Sequence, residues 1–191
     1  MKRICVYCGS SSGARPVFAE SAAALGRALA ERGLGLVYGG ADCGLMGVIA
    51  DTVLAAGGEV IGVIPHGLLE LEAAHPELTE LVVVDTLHER KARMLSLCDA
   101  LVTLPGGHGA HDELFEALTW LQLGIHDKPV GLLNVEGFYD GLVAHLDRAS
   151  TEGFIRPEHR ALLLVDDDPQ RLLDRCGRFR PPPRPPWRSG A

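Results

Sequence analysis

The densest group of residues able to do chemistry lies at positions 105–116, Pro-Gly-Gly-His-Gly-Ala-His-Asp-Glu-Leu-Phe-Glu. A glycine turn that opens a helix exposes free backbone N–H groups, and the helix dipole adds partial positive charge, so phosphate binds well there. We predict that the helix begins near His111, which places Glu113 in its first turn. An acid there can simply complement the dipole. Beside a phosphate site, however, it makes more sense facing ribose hydroxyls or a developing cation.

A second charged group, His88-Glu89-Arg90-Lys91, opens the preceding predicted helix. Cations near a helix N-terminus oppose the dipole. An anionic ligand would explain why Arg90 and Lys91 are adjacent there. A solvated surface pair is the alternative, because charge runs are often only exposed faces.

The elements that must position these groups alternate along the chain. We predict strands over 3–8, 34–38, 59–64, 81–84, 100–104, 129–133 and 162–165, and helices over 16–32, 45–56, 88–98, 111–123, 138–152 and 170–176. Residues 68–80 fit neither pattern. Alternating strands and helices predict a parallel sheet with helices on both faces, and continuous apolar strands fit such burial. The predicted fold is therefore a doubly wound α/β domain with a parallel sheet, spanning residues 1–179.

Glycine-rich loops follow three of these strands, at 9–13, 39–44 and 106–109. Ligands of doubly wound sheets bind beyond the carboxyl ends of the strands, so three such loops at one edge predict an anion site. The chain has no G-x-x-x-x-G-K-[ST] motif, and its first loop lacks G-x-G-x-x-G spacing. P-loop ATPases and hydride-transfer enzymes are therefore disfavoured.

Several motifs in combination resemble the Lonely Guy family, over about residues 4–155. They are the turn at 105–109 followed by Glu113, the group at 88–91, Cys-Gly-Ser-Ser at 8–11, Tyr-Gly-Gly at 38–40 with Gly-Leu-Met-Gly at 44–47, and the segment 119–134. The resemblance implies a Rossmann-like enzyme, usually dimeric, with no metal or organic cofactor. It implies hydrolysis of the N-glycosidic bond of cytokinin riboside 5′-monophosphates or AMP-type nucleotides, which releases the free base and ribose 5-phosphate.

The resemblance also implies roles for individual residues. Arg90 and Glu113 match the catalytic positions. The expected substrate-binding residues include four from the first two glycine loops. The full set is Glu72, Lys91, Gly106, Gly107, His108, Gly109, Ala110, His111, Asp112, Thr119, Gly9, Ser10, Gly39 and Gly40.

One departure from the family pattern is Ala110, which stands where the family has threonine. The change removes a hydroxyl worth ~1 kcal/mol to a bound phosphate. His108 or His111 could replace that hydrogen bond. Their i, i+3 spacing would also suit a metal pair, but no third ligand is evident, so we expect no metal.

Two other functions stay open at this point. One is a non-catalytic nucleotide or molybdenum-cofactor carrier of the same fold. The other is a pyridoxal-dependent amino-acid decarboxylase. The latter needs a Schiff-base lysine, and among Lys2, Lys91 and Lys128 none is clearly placed for that role.

Composition limits the partners and the compartment. A net charge of -7 disfavours nucleic acid and anionic membranes as partners. The short apolar run at the N-terminus predicts no signal peptide, and no stretch approaches ~18 apolar residues. Five scattered cysteines read as reduced thiols of a cytoplasmic protein, with Cys5 and Cys8 on opposite faces of one strand.

Two further features concern the surface and the end of the chain. The helices predicted at 88–98 and 111–123 carry more apolar residues than one sheet face needs, including Met94, Leu95, Leu97, Phe115 and Trp120. Such a surface predicts a homodimer. Residues 180–191 contain five prolines, and we expect a flexible tail.

Overall fold

A computed structural model describes residues 1–69 and 73–181. Its strands are β1 (Arg3–Tyr7), β2 (Gly35–Tyr38), β3 (Val60–Pro65), β4 (Glu80–Val84), β5 (Ala100–Thr103), β6 (Val130–Leu133) and β7 (Leu163–Asp166). Its helices are α1 (Pro16–Glu31), α2 (Gly44–Ala55), α3 (His66–Leu69), α4 (Leu87–Leu97), α5 (His108–Gln122), α6 (Asp140–Thr151), α7 (Pro157–Arg160) and α8 (Pro169–Arg178). A 3-10 turn covers Val135–Gly137.

The sheet has seven strands in the order β4-β3-β2-β1-β5-β6-β7, and all neighbours run parallel. The predicted doubly wound α/β class is thereby confirmed. The strand order reverses between β1 and β5, where Cys5 pairs with Leu101 and Tyr7 with Thr103. A crevice opens at such a reversal, and ligands of these folds bind there.

Helices cover both faces of the sheet. On one face α1, α2 and α8 bury Leu25, Ile49 and Leu172 in a core that includes Cys8. On the other face α4, α5 and α6 bury a second core that includes Cys5. The two thiols therefore lie on opposite faces, as predicted, because side chains alternate along a strand.

Helix α5 begins three residues earlier than predicted. Gly107 is its N-cap, and the first helical hydrogen bond runs from the His111 N–H to the Gly107 carbonyl at 3.2 Å. The expectation that Glu113 lies in the first turn is therefore wrong. Glu113 lies in the second turn, because residues 108–110 continue the helix instead of extending the glycine loop.

Other differences are local. Helix α6 begins at Asp140 instead of residue 138, because Glu136 takes a left-handed φ of 44° and the Asn134 side chain accepts from the Tyr139 N–H. The short α3 overlaps the start of the unassigned region 68–80, and α7 was not predicted. Most of the proline-rich tail lies outside the described residues. Among the described residues, no helix combines the length and apolarity needed to cross a membrane.

Candidate active site

Three glycine loops interlock at the crevice between β1 and β5. The Gly9 N–H donates to the Pro105 carbonyl at 3.1 Å, and the Leu45 N–H donates to the Gly9 carbonyl at 3.0 Å. A Cβ on Gly106 would lie 3.0 Å from the Gly9 nitrogen, and one on Gly44 would lie 2.3 Å from the Ser10 carbonyl carbon. Side chains at these positions would push the loops apart. The predicted meeting of the three loops at one sheet edge is confirmed.

A cavity of about 180 Å³ opens where these loops meet the first turns of α5. It gathers the predicted site residues Gly9, Ser10, Gly39, Arg90, Gly107, His108, Gly109, Ala110 and Glu113. Sequence reasoning did not assign Val6, Tyr7, Cys8, Met46 and Met94 to this site. Their signal was weak because apolar residues at strand ends and helix faces also serve the core. Met94 is 1% exposed, so the expectation that it belongs to an outer apolar surface is wrong.

Arg90 is a buried cation on this cavity. Thr86 caps α4 by accepting from the Glu89 N–H at 3.1 Å, which places Arg90 one turn into the helix. The Arg90 Nη2 donates to the Gly39 carbonyl at 3.0 Å, and the buried Nε has no protein partner among the described residues. Buried N–H groups are rarely left unpaired. The Nε donor is therefore free for a ligand or a water molecule.

Glu113 shares the cavity with Arg90, and its titration is perturbed. Burial raises the pKa of the Glu113 carboxyl to about 7. Arg90 and Lys91 oppose the shift, while Asp112 and Glu116 add to it. A carboxyl with a pKa near neutrality can accept or release a proton under ordinary conditions, and such groups cluster at functional sites.

The pair Arg90 and Glu113 is held in place by an ionic contact next to it. Lys91 is buried, and its ammonium lies 2.9 Å from carboxylate oxygens of both Asp112 and Glu116. Burial lowers the pKa of Lys91, but the two carboxylates more than compensate and raise it. The contact links α4 to α5. Arg90 is the neighbour of Lys91 in α4, and Glu113 is the neighbour of Asp112 in α5. Sequence reasoning missed Glu116 because its partner lies on another helix.

Comparison with known proteins identifies the family of this chain. A probable cytokinin riboside 5′-monophosphate phosphoribohydrolase of Oryza sativa subsp. japonica is 49% identical over 93% of this chain and 79% of its own length. A cytokinin riboside 5′-monophosphate phosphoribohydrolase of Arabidopsis thaliana is 46% identical over 94% of this chain and 83% of its own. The chain belongs to the Lonely Guy family. This confirms the resemblance found in its motifs.

Residues 46–176 also match a family model described as "Possible lysine decarboxylase". The lysines of this Lonely Guy protein do not suit that chemistry, which needs a lysine to form a Schiff base. Lys91 is bound to Asp112 and Glu116, and the Lys128 ammonium donates to the Leu95 carbonyl. None of Lys2, Lys91 and Lys128 lines the cavity that holds Arg90 and Glu113.

Solved structures share the fold. A molybdenum cofactor binding protein from Rippkaea orientalis aligns with a TM-score of 0.69 at 22% identity, over 91% of this chain and 94% of that one. The molybdenum cofactor carrier protein of Chlamydomonas reinhardtii aligns with a TM-score of 0.68 at 20% identity, over 93% and 96%. At this identity the likeness concerns the fold alone.

Four site residues predicted from the Lonely Guy resemblance lie beside the cavity. Lys91 and Asp112 bind each other. Gly106 lines an adjoining cavity of about 320 Å³ that shares Gly107 with the first. Gly40 packs against β3, where a Cβ would lie 3.3 Å from the Val63 nitrogen.

Three further residues fall elsewhere. The His111 Nδ1 lies 2.7 Å from the Gly107 carbonyl and therefore carries a proton, while its ring packs on Tyr139, so His108 is the histidine that faces the cavity. Thr119 is exposed on α5, and its hydroxyl donates to the Phe115 carbonyl. Glu72 lies outside the described residues.

Proposed function

We propose that the protein hydrolyses the N-glycosidic bond of a cytokinin riboside 5′-monophosphate or an AMP-type nucleotide, releasing the free base and ribose 5-phosphate. One observation carries the proposal. A buried guanidinium with an unpaired donor and a carboxyl with a pKa near 7 face one small cavity at a helix N-terminus. The relatives that are 46–49% identical bear the name of this activity.

The N-terminus of α5 suits the 5′-phosphate. Its first backbone N–H groups have no helical acceptor, and the helix dipole favours an anion. A Cβ on Gly107 or Gly109 would meet no protein atom within 4 Å, so the protein itself does not require glycine there for space. Glycine at these two positions leaves room for a ligand to approach the backbone, which supports a phosphate cradle.

Glu113 serves the bond that breaks. As the C1′–N9 bond opens, its electron pair leaves with the base, and positive charge builds on the ribose. The carboxylate stabilises this oxocarbenium-like state and accepts a proton from the water that attacks C1′. The departing base takes up a proton from solvent, and Glu113 returns the proton of the attacking water to solvent, so one water is consumed for each bond cleaved. The site must remove at least ~8 kcal/mol of barrier, and fixed charges in a cavity are the usual largest contribution. Arg90 opposes the burial effect on Glu113 and donates to the bound nucleotide.

The proposal is tested by incubating the protein with AMP, a cytokinin riboside 5′-monophosphate and the matching nucleosides. Chromatography then measures the free base and ribose 5-phosphate. We expect cleavage of a monophosphate and much slower cleavage of its nucleoside, because the nucleoside lacks the anchor. Equal cleavage of both would refute the phosphate cradle, and no cleavage of any monophosphate would refute the activity.

A non-catalytic carrier is the second candidate, favoured by the names of the two structural neighbours. The cavity argues for the enzyme, because a carrier has no need of a carboxyl held near neutrality beside a buried guanidinium. Binding of molybdenum cofactor with no release of base from any nucleotide would favour the carrier.

We further propose that two copies associate through α4 and α5. Leu87, Phe115 and Ile125 are 57%, 38% and 48% exposed, and a groove between the helices includes Trp120 and Leu95. Exposed apolar patches of this kind are usually covered by a partner, and symmetric dimers are the commonest solution. Light scattering at micromolar concentration should give twice the mass of the chain, and a strictly monomeric mass would contradict the proposal.

The compartment is proposed to be the cytoplasm. Cys5, Cys8, Cys98 and Cys176 are unpaired thiols. Unpaired buried thiols are typical of reducing compartments. Fractionation of cells expressing the tagged chain should recover it with cytoplasmic markers, and recovery with secreted proteins would contradict the assignment.

A further inference from the structure

Residues 73–75, here called the strap, lie against the turn that follows β2. The Asp42 N–H donates to the Ala73 carbonyl at 2.9 Å, and the His75 N–H donates to the Gly40 carbonyl at 3.0 Å. Ala74 and Ala41 form an isolated antiparallel bridge between these bonds. The strap thus pairs with residues 40–42, next to Gly39, which binds Arg90.

The His75 side chain fastens the strap to α2. It is almost fully buried, and its Nε2 lies 3.0 Å from a carboxylate oxygen of Asp51. Its Nδ1 accepts from the Glu77 N–H at 3.2 Å, so Nδ1 carries no proton in this arrangement. The neutral ring therefore has its proton on Nε2 and donates it to Asp51.

This tautomer also bears on a metal site. Asp42, Asp51 and His75 offer ligand atoms that all lie within 4.8 Å of one another. A metal bound to Nε2 would require the ring proton to sit on Nδ1. That proton would then face the Glu77 N–H, and two donors would oppose each other. The geometry therefore suits a hydrogen-bonded brace better than a metal ligand.

We propose that His75 is a positioning residue for the proposed reaction, which braces the Gly39–Gly40 turn and through it the Arg90 guanidinium. The contacts form a continuous series. Asp51 holds the imidazole, the His75 N–H holds the Gly40 carbonyl, and the Gly39 carbonyl accepts from Arg90. The inference rests on the proposed function, because Arg90 matters only if the cavity acts on a ligand.

Loosening the brace should change the titration of Glu113. The charged groups that face Glu113 are Arg90 and Lys91 from α4 and Asp112 and Glu116 from α5. The Tyr7 hydroxyl and the Cys5 thiol of β1 and the thiol of Cys8, which follows β1, lie nearby. Arg90 is the strongest influence that lowers the pKa of Glu113. A less well placed guanidinium therefore leaves that pKa higher, and the carboxylate form appears only at higher pH.

The experiment compares two buried histidines of the full-length protein. His126 has the same pattern as His75, because its Nδ1 accepts from the Lys128 N–H and its Nε2 donates to the Ala117 carbonyl, but it braces the end of α5. We would make His75→Leu, His75→Gln and His126→Leu and measure kcat and KM for the monophosphate that the wild type cleaves, across pH 5.5–9. Thermal melting reports folding, and light scattering checks that the mass is unchanged.

We expect His75→Leu to lower kcat about tenfold, to raise KM because Arg90 also donates to the bound nucleotide, and to move the acid limb of the pH profile to higher pH. His75→Gln restores a donor for Asp51 and should recover most of the kcat. His126→Leu should lower the melting temperature without moving the pH profile. Identical profiles for the two leucine variants, or no recovery with glutamine, would overturn the assignment.

A second readout separates this inference from the proposed function. Hydrogen exchange at the Asp42 and His75 amides needs no substrate, and both amides lie in the strap contacts. Faster exchange there in His75→Leu, with unchanged exchange in α5, supports the brace even if no nucleotide is cleaved. Unchanged exchange at both amides would overturn the brace whatever the activity.

Discussion

The Lys91 ammonium lies 2.9 Å from the Glu116 carboxylate and bridges α4 to α5 beside the cavity. The lysine is buried, whereas the side chain of its other partner, Asp112, is 64% exposed, so Glu116 at 21% is the better shielded partner. Interactions between charges weaken as water screens them. Both groups also affect the pKa of the nearby Glu113 carboxyl: Lys91 lowers it and Glu116 raises it.

The pH profile should report these two influences. Proposed catalysis needs the Glu113 carboxylate, so kcat/KM should fall as pH drops below about 7. Glu116→Gln removes an anion that raises the pKa of Glu113 and should shift this acid limb to lower pH. Lys91→Met removes a cation that lowers it and should shift the limb upward. The matched control is Glu152→Gln, which removes the carboxylate of the exposed ion pair between Arg148 on α6 and Glu152 at the C-cap of that helix. Shifts of the same sign in both cavity variants would contradict the electrostatic account.

Removing the carboxylate itself should abolish turnover while sparing binding. Glu113→Gln keeps the size of the side chain but can neither accept the proton of water nor stabilise the ribose cation. We expect kcat to fall by at least about 100-fold, typical of the loss of a general base, with monophosphate affinity by calorimetry kept or improved. Near-normal turnover would rule out the proposed role of Glu113.

The same variant should be more stable than the wild type at high pH. Glu113 has an ordinary pKa of 4.5 when unfolded and about 7 when folded. Between these values the folded state binds more protons than the unfolded state, so stability falls as pH rises and the full penalty is present above pH 7. Glu113→Gln removes that penalty and should raise the free energy of unfolding by roughly 1–3 kcal/mol at pH 8, with little effect at pH 4.5. Denaturant melts at the two pH values measure this, and an equal change at both would show that burial does not disfavour the carboxylate.

The sequence predicted the sheet and the glycine loops because each depends on local patterns, whereas the pairing of Arg90 with Glu113 came from the resemblance to the Lonely Guy family. Alternating apolar runs, glycines after strands and a charged group at a helix start are all visible along the chain. The start of α5 was missed because the N-cap depends on how Gly107 leaves the loop. Glu116 and His75 were missed because their partners, Lys91 and Asp51, are separated from them by 25 and 24 residues. Nothing local marks such contacts.

A side chain at Gly39 should displace the Arg90 guanidinium. A Cβ there would lie 2.0 Å from the Arg90 Nη2 and 2.9 Å from the Met46 Sδ. The end of the arginine side chain can move, so we expect Gly39→Ala to fold with Arg90 displaced and kcat/KM lowered on the order of 100-fold, as for a lost electrostatic contact. The check is a double-mutant cycle. In an Arg90→Ala background Gly39→Ala should cost no further activity, whereas additive losses would place its effect elsewhere.

Gly109 should separate binding from folding. It is exposed in the first turn of α5 and lines the cavity, and a Cβ there would meet no protein atom within 4 Å. Alanine is a better helix former than glycine by roughly 0.5–1 kcal/mol, so Gly109→Ala should melt at the same or a higher temperature. Its methyl group would occupy space that we assign to phosphate, so KM for the monophosphate should rise several-fold while the slow cleavage of the nucleoside stays unchanged.

Gly141→Ala on α6 is the matched control, because Gly141 is also an exposed helical glycine with open space around its Cβ position. It should show the same gain in stability without the rise in KM. An unchanged KM in Gly109→Ala would mean that the phosphate does not approach the first turn of α5, and the cradle would then have to be sought at the Gly9 loop.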